Sequence, residues 1–278
     1  MISAGCDVGS LTAKGLLLNE SGILASEVIP VSGRPARAAL EVMNLVLRSA
    51  GLSMKDVTHL VGTGYGRKRI DFAHSIESEI TCHGMGAWWG DHSIRTIIDI
   101  GGQDAKAIRV NHEGEVERYV YNDKCASGTG RFLEIMAEAL EVPLDGMASE
   151  EEKSTRDVHI SSQCVIFAES EVISLVNEGV PVPDIIKGLH GAMAARAAAL
   201  ARSIGIEDRV SFSGGVARNG GVLRGLEESL GTSLVRTGSD PQLNGALGGA
   251  LIGARKCGVH VKPARIMKEE HGTVQAGH

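Results

Sequence analysis

Residues 7–14, DVGSLTAK, decide the fold because their pattern returns at residues 99–106, DIGGQDAK. Both stretches read D-x-G-[SG]-x-x-A-K, and they stand 92 residues apart. The offset persists downstream, where NESG at 19–22 aligns with NHEG at 111–114. Short apolar runs flank each turn, which is typical of strand, tight glycine turn and strand. We therefore expect an internal duplication with two related α/β halves.

The flanking elements also occur in pairs. Apolar runs at 15–18 and 23–28, and again at 107–110 and 116–121, predict the remaining strands of each unit. Apolar residues at helical spacing predict a helix around 40–47 and another around 132–140. Each half then offers a further apolar strand that ends in glycine, at 57–64 and 210–215, and alanine-rich helices are predicted at 193–202 and 246–255.

The repeated turns are typical of a phosphate clamp. Small residues after a strand let backbone N–H groups approach phosphate oxygens, and a carboxylate at the strand end can hold Mg²⁺ through water. We expect Lys14 to be the counter-charge and Asp7 and Asp99 to hold the metal through water. The alternative is a pair of ordinary glycine turns with Asp in turn positions and a solvated lysine. Two copies at one offset favour the clamp.

A third glycine loop, FSGGVARN at 212–219, follows a predicted strand and precedes a predicted helix. No Walker-type or dinucleotide-binding glycine pattern is present. We expect Gln103 to orient the attacking water, with Asp104 and Asp7 as the other catalytic residues. The candidate nucleotide ligands are Gly9, Ser10, Leu11, Thr12, Ala13, Lys14, Gly101, Gly102, Gln103, Gly128, Thr129, Gly130, Gly214, Gly215, Asn219 and Gln242.

Composition and charge exclude several classes of protein. The formal net charge is −6 and no basic run exceeds residues 67–69, which argues against nucleic acid as the main partner. No apolar stretch reaches the 18 or more residues of a membrane span. The first residues lack a charged region and a cleavage site, so we expect no secretory signal and a cytoplasmic location.

The five cysteines form no C-x-x-C pair, and their odd number argues against a disulfide framework. Cys6, Cys82 and Cys257 are interpreted as small buried hydrophobic residues, which free cysteines often are. Cys125 and Cys164 stand in distinctive loops, NDKCASGTGRFLE and SSQCVIFAESEVISL, each just before a helix-like segment. These two are the candidates for metal ligation.

In combination, DVGSLTAK, GTGYGR, IDIGGQDAK, the two cysteine loops, FSGGVARN and NGALGGAL resemble the ATP-dependent activators of 2-hydroxyacyl-CoA dehydratases. Their relatives are the ATPase subunits of benzoyl-CoA reductase. The resemblance runs from about residue 4 to about 256. Leu11 departs from it, since a smaller polar residue is expected there.

The resemblance implies a duplicated actin-like, ribonuclease H-like α/β fold, with two mixed-sheet domains flanking a nucleotide cleft. We expect residues 1–95 and 96–245 to form these domains, and the helix at 245–258 to pack back on the first. Residues 259–278 are expected to form a disordered tail.

The resemblance also implies a homodimer that shares one [4Fe-4S] cluster, with Cys125 and Cys164 of each copy as ligands. A twofold axis turns two cysteines into the four that such a cluster needs. ATP, ADP and Mg²⁺ are the other implied cofactors. The implied partners are a ferredoxin or flavodoxin as electron source and an iron–sulfur acceptor enzyme.

The implied activity is ATP-driven one-electron transfer to an acceptor such as a 2-hydroxyacyl-CoA dehydratase or a benzoyl-CoA reductase-like protein. Two alternatives remain open at the level of the sequence. One is a sugar or metabolite kinase of the same fold, which would need a catalytic Asp for its substrate and no iron. The other is a nucleotide-switched scaffold without a redox role. Colour and iron content after oxygen-free purification would separate these classes.

Overall fold

A computed structural model describes residues 1–162, 164–207 and 209–261. Most of the expected tail, residues 262–278, lies outside the described residues. The described chain forms two mixed β-sheets with helices packed on them. Within the described residues, no helix combines the length and the apolar character needed to cross a bilayer.

The first sheet contains five strands in the order β3-β2-β1-β4-β5. These strands are β1 (Ser3–Val8), β2 (Thr12–Asn19), β3 (Gly22–Pro30), β4 (His59–Thr63) and β5 (Ser75–Ile76). Strand β2 runs antiparallel to both β1 and β3, and β4 runs parallel to β1. The second sheet has the order β8-β7-β6-β9, with β9 parallel to β6. Its strands are β6 (Thr96–Ile100), β7 (Ala105–Val110), β8 (Val116–Asn122) and β9 (Val210–Ser213).

Eight α-helices within the described ranges complete the two halves. They are α1 (Pro35–Ser49), α2 (Glu79–Gly90), α3 (Gly130–Ala139), α4 (Met147–Glu151), α5 (Val165–Asn177), α6 (Val182–Ser203), α7 (Gly220–Leu230) and α8 (Asn244–Lys256). Helix α1 packs on the first sheet, and α8 packs on β1, β2 and β4. Helices α3, α5, α6 and α7 share one apolar core with the second sheet.

The register of the strands shows the duplication in atomic detail. Asp7 faces Lys14 across β1 and β2, and Asp99 faces Lys106 across β6 and β7. In each turn, the first glycine donates its N–H to the residue three positions later, at 2.9 Å in both copies. The two halves are therefore built on the same strand–turn–strand unit, as the sequence predicts.

The repeat extends to the strands that follow each unit. Gly64 after β4 and Gly214 after β9 both adopt φ +88°, a left-handed conformation that favours glycine. A Cβ atom at Gly64 would lie 2.5 Å from the carbonyl oxygen of Val8. A Cβ atom at Gly214 would lie 2.2 Å from that of Ile100. The central strand of each sheet therefore ends against a glycine that no larger residue can replace.

Helices α2 and α8 cross between the two sheets almost without intervening side chains. A Cβ atom at Gly248 would lie 1.8 Å from the carbonyl oxygen of Cys82, and one at Gly86 would lie 2.2 Å from that of Asn244. Helix α2 also packs on the second sheet through Ile80 and its neighbours. We call the contact between α2 and α8 the seam. It connects the two sheets beneath the cleft.

One interpretation of the cysteines is wrong. Cys6 and Cys82 are fully buried, as expected for small core residues. Cys257 is exposed, because it directly follows the last residue of α8, where the chain leaves the first sheet. Its side chain therefore has no core to enter.

Candidate active site and cysteine loops

The turns after β1 and β6 and the glycine loop after β9 line one cavity of about 760 Å³ between the two sheets. This cavity brings together most of the residues that the sequence singles out. They are Asp7, Gly9, Ser10, Leu11, Thr12, Lys14, Asp99, Gly101, Gly102, Asp104, Gly130, Gly214, Gly215, Asn219 and Gln242. Its position between the two halves is that of the nucleotide cleft which the duplication predicts.

Four predicted residues lie outside the lining of this cleft. The Ala13 side chain is fully buried in the core of the first sheet. Gln103 is exposed at the tip of the second turn. Thr129 is buried, and its hydroxyl donates to the carbonyl of Ala126 at 2.8 Å. Gly128 borders a smaller cavity beside Cys125 instead.

Each half contributes a buried carboxylate paired with a lysine. Lys14 Nζ lies 3.3 Å from Asp7 Oδ2, with the side chains 12% and 4% exposed. Lys106 Nζ lies 3.1 Å from Asp99 Oδ2, with the side chains 4% and 2% exposed. Lys106 also contacts the carboxylate of Asp104. Carboxylates of the protein therefore partly compensate the positive charge of both lysines.

Asp99 has the most strongly perturbed carboxylate of the cleft. Burial alone would raise its pKa, but the nearby charges of His83 and Lys106 and the hydroxyl of Ser213 hold that pKa well below its ordinary value. Ser213 Oγ donates to Asp99 Oδ1 at 2.7 Å, and His83 Nδ1 lies 3.0 Å from the same oxygen. Asp99 therefore stays ionised and fixed in direction.

Glu79 is the first residue of α2 and lines the floor of the cleft. Burial raises the pKa of its carboxyl group, and the charge of Lys106 partly opposes this rise. The charges of Asp104, His83 and Asp7, which line the same cleft, also act on the Glu79 carboxyl group. A carboxylate with a raised pKa is suited to accept a proton from water or to orient it.

The tips of the two turns offer free donors. Among the described residues, the backbone N–H groups of Ser10, Leu11, Gly102 and Gln103 have no acceptor. They can therefore serve phosphate oxygens. Leu11 lies against the other turn: a Cβ atom at Gly102 would lie 2.2 Å from Leu11 Cδ1. The leucine that departs from the family pattern thus packs across the cleft against the second half.

The glycine loop after β9 forms the third wall. Gly214 donates its N–H to the carbonyl of Pro241 at 3.0 Å, which holds this loop beside Gln242. Gln242 Oε1 is buried and has no hydrogen-bond partner among the described residues. An unpaired buried amide oxygen is costly unless a ligand donates to it. This wall is therefore the best place for the nucleoside.

Asn219 is held in this wall by a buried chain of polar groups. Its Oδ1 accepts from the N–H groups of Gly221 and Val222 and so caps α7. Its Nδ2 lies 3.1 Å from His190 Nε2, and His190 Nδ1 lies 2.6 Å from Glu151 Oε2. Asn219 is thus fixed by the protein and shapes the wall.

Several residues of the cleft were not predicted from the sequence. They are Tyr65, Glu79, His83, Lys106, Leu133, Glu134, Leu144, Asp145, Ala148, Val216 and Arg218. Lys106 belongs to the repeated motif, so its equivalence to Lys14 was an available signal. Glu79 follows Ser78, whose hydroxyl accepts from the N–H of Ile80 at 3.2 Å. Serine followed by an acidic residue is a helix-start signal that could have located α2.

The two candidate metal ligands are both exposed at the starts of helical segments. Cys125 precedes the short helical turn Ala126–Gly128, and Cys164 immediately precedes α5. Cys125 Sγ lies 3.0 Å from Ser127 Oγ. Among the described residues, no group of three or more His, Cys, Asp or Glu could hold a metal ion. Two accessible thiols per chain suit a centre shared between copies.

The second phosphate turn is bonded directly to the segment that follows Cys125. The N–H of Gly130 donates to the carbonyl of Gly101, and that of Arg131 donates to the carbonyl of Gly102, both at 2.8 Å. These residues open α3. A displacement of the turn by a bound phosphate must therefore act on α3 and on the cysteine loop before it.

Comparison with known proteins is consistent with this geometry. The sequence profile described as the BadF/BadG/BcrA/BcrD ATPase family matches residues 4–253. The chain is 46% identical over 255 residues to the activator of lactoyl-CoA dehydratase of Anaerotignum propionicum, covering 90% of this chain and 96% of that protein.

Two solved structures are similar along nearly their whole length. Component A of the (R)-2-hydroxyglutaryl-CoA dehydratase of Acidaminococcus fermentans superposes with a TM-score of 0.88 at 40% identity, over 93% of this chain and 99% of that one. The activator of the 2-hydroxyisocaproyl-CoA dehydratase from Clostridium difficile with bound ADPNP gives 0.88 at 40%, over 93% and 96%. A ROK family protein from Streptococcus pneumoniae shares the fold alone, with a TM-score of 0.53 at 11% identity over 93% and 99%. The predicted fold class, a duplicated actin-like α/β fold, is confirmed.

Proposed function

The chain belongs to the BadF/BadG/BcrA/BcrD ATPase family, and from this premise we propose that it is an ATP-driven one-electron donor that activates a partner iron–sulfur enzyme. Its ATPase character follows from the family. The relatives named above activate 2-hydroxyacyl-CoA dehydratases. The hydrogen bonds from the second phosphate turn to the start of α3 carry the proposal, because they connect the nucleotide cleft to a cysteine loop.

The nucleotide is held from three sides. The free N–H groups of the two turns bind the β- and γ-phosphates, and Lys14 and Lys106 offset the phosphate charge. Asp7, Asp99 and Asp104 would hold the waters of Mg²⁺, which is usually bound by few carboxylates together with phosphates. Mg²⁺ would supply the positive charge that neutralises the γ-phosphate during transfer to water. Gly214, Gly215, Asn219 and Gln242 border the nucleoside.

Two residues are candidates for the group that orients the attacking water. Gln103 is exposed beyond the lining of the cleft, whereas Glu79 lies at its floor with a raised carboxyl pKa. We expect Glu79→Gln to lower kcat for ATP hydrolysis about 10²-fold, because the amide cannot accept the proton. Nucleotide affinity should change little, since the isosteric amide preserves the shape of the floor. Single-turnover hydrolysis and ADP binding measure the two quantities separately.

Gln103→Ala is the matched comparison for Glu79→Gln. We expect it to retain nucleotide binding and to lose hydrolysis by a smaller factor. If Gln103→Ala lost the larger factor while Glu79→Gln hydrolysed ATP at the wild-type rate, the water-orienting role would return to Gln103.

The two cysteines are the proposed ligands of a cluster shared by two copies. Their thiols are accessible and precede helical segments, whose N–H groups favour negative charge. Burial raises the pKa of Cys82 to about 12 and that of Cys6 still further, so these thiols remain protonated inside the core. A [4Fe-4S] cluster held by the Cys125 and Cys164 thiolates of two copies would supply a one-electron carrier of low potential.

An apolar surface beside Cys164 supports the homodimer. On α5, Ile166 is 65% exposed, Phe167 is 69% exposed and Ile173 is 48% exposed. On the same helix Val165, Ala168 and Val172 are buried, whereas Val176 is 42% exposed. Contiguous exposed apolar residues usually mark an interaction site. We assign this surface to the second copy.

The proposed cycle uses these parts in order. A ferredoxin or flavodoxin would supply the electron that a cluster held by Cys125 and Cys164 would carry. ATP would engage both turns, and the second turn would act on α3 and the Cys125 loop through Gly130 and Arg131. The acceptor is an iron–sulfur enzyme such as a 2-hydroxyacyl-CoA dehydratase or a benzoyl-CoA reductase-like protein. Hydrolysis then makes the transfer of one electron irreversible.

Iron content and mass test this function directly. Full-length protein purified without oxygen should be brown, should sediment as a dimer, and should contain about four irons and four sulfides per dimer. It should also bind ADP and hydrolyse ATP. Iron-free protein under these conditions, or a monomer, would contradict the redox function and leave an ATPase.

A further inference from the structure

Arg196 connects the two cysteine loops. It projects from α6, and its Nη2 donates to the carbonyl of Ser162 at 2.8 Å, two residues before Cys164. Its Nη1 donates to the carbonyl of Ser127 at 3.4 Å, two residues after Cys125. The fork of a guanidinium can serve two acceptors at fixed directions, which an ammonium cannot do. One side chain thus sets the distance between two segments that lie far apart in the sequence.

The guanidinium is fixed by its surroundings. Its central carbon lies 5.5 Å from the centroid of the Phe132 ring, and that ring is fully buried at the start of α3. On the α6 side, Met193 and Ala197 are buried in the core. The side chain is half-buried and held between two helices. It is therefore unlike a solvated surface arginine.

The charge of Arg196 has no carboxylate partner within ion-pair distance among the described residues. It borders a small cavity of about 310 Å³ together with Cys125, Ser127 and Gly128. A half-buried cation without a counter-ion is unfavourable unless an anion comes to it. The thiolates of a bound iron–sulfur centre would be that anion.

We propose that Arg196 is a positioning residue for the cysteine pair, which holds the two loops at one separation and places a fixed positive charge beside the thiolates. The role rests on the iron–sulfur function proposed above. Reduction adds one negative charge to an iron–sulfur centre, and a nearby cation favours the reduced form. Loss of the charge must therefore lower the midpoint potential, since potentials of these centres follow local charge and hydrogen bonding.

Three variants separate charge from geometry. In the iron-loaded dimer, Arg196→Met should disfavour reduction about tenfold, which is about 59 mV for a one-electron couple. Arg196→Lys keeps the charge and should hold the potential near the wild-type value. It should nevertheless lose iron faster during gel filtration, because one ammonium cannot bridge both carbonyls. Arg202→Met is the control, since Arg202 lies on the same helix and is exposed.

The potential is measured by a redox titration followed by EPR, and iron by chemical assay. Wild-type potential and wild-type iron retention in both Arg196 variants would overturn the role of Arg196 while leaving the proposed function intact. A potential that falls equally in the Met and Lys variants would overturn the charge component. Iron-free wild-type protein would overturn the proposed function and this role together. Should Arg196→Met fail to accumulate, Arg196→Gln removes the charge with a polar side chain and carries the same expectation.

Discussion

Asp99→Asn is expected to abolish measurable ATP hydrolysis and to lower the free energy of unfolding by about 3–5 kcal/mol. Asp99 is 1% exposed and accepts hydrogen bonds from Lys106 and Ser213. An amide cannot offset the buried charge of Lys106, and removing one member of a buried pair leaves the other uncompensated. The waters of the metal would also lose a charged acceptor. Urea unfolding and a coupled phosphate-release assay measure the two effects.

Asp157→Asn provides the control for this substitution. Asp157 is 89% exposed and its carboxylate lies 2.7 Å from Lys187 Nζ, so the same chemical change removes only a surface pair. Its effect on unfolding should stay within about 0.5 kcal/mol, with full hydrolysis. An Asp99→Asn protein with wild-type stability and rate would show that Asp104 alone compensates Lys106 and organises the metal.

Cys125→Ser and Cys164→Ser are each expected to remove the iron and to end reduction of the acceptor enzyme. A serine hydroxyl does not replace a thiolate at an iron–sulfur centre, and the twofold axis doubles each loss. Nucleotide binding should persist, because neither cysteine lines the cleft. Iron assays and ADP titrations on oxygen-free protein measure the two properties.

Cys257→Ser is the matched control because Cys257 is also an exposed free thiol. It should keep full iron and full activity. If Cys257→Ser lost iron while Cys125→Ser kept it, the assignment of the ligands would be wrong. Retention of iron in both Cys125→Ser and Cys164→Ser would place the centre elsewhere.

The duplicated core was predictable because its evidence is local and occurs twice. The 92-residue offset placed the strands and the turns of both halves within a few residues of their observed positions. The register then follows from a tight turn of fixed length, because the length of the turn determines which residues of the flanking strands pair. Likeness to relatives confirms the same architecture along the whole family match.

Other features were invisible because they depend on contacts between distant segments. Helix α2 is apolar on nearly all sides, so it lacks the one-sided periodicity by which surface helices are recognised. Glu79 therefore escaped notice, although it lies at the floor of the cleft. Arg196 lies in an alanine-rich helix, and the surrounding sequence does not indicate that its side chain contacts two loops that are 34 and 69 residues away. Cys257 was misinterpreted because α8 ends one residue before it. A shift of the helix end by one residue decides whether such a side chain is buried or exposed, and the sequence does not fix that end.

The seam between α2 and α8 has a consequence for how the cleft can change. Its contact is made main chain to main chain at Gly86 and Gly248, so the separation of the two helices there equals the contact distance between their backbones. That separation is set by van der Waals contact between main-chain atoms, so exchanging side chains elsewhere cannot adjust it. Substitutions can remodel the rim and the nucleoside wall, whereas the spacing of α2 and α8 at the seam should stay the same in every copy of the molecule.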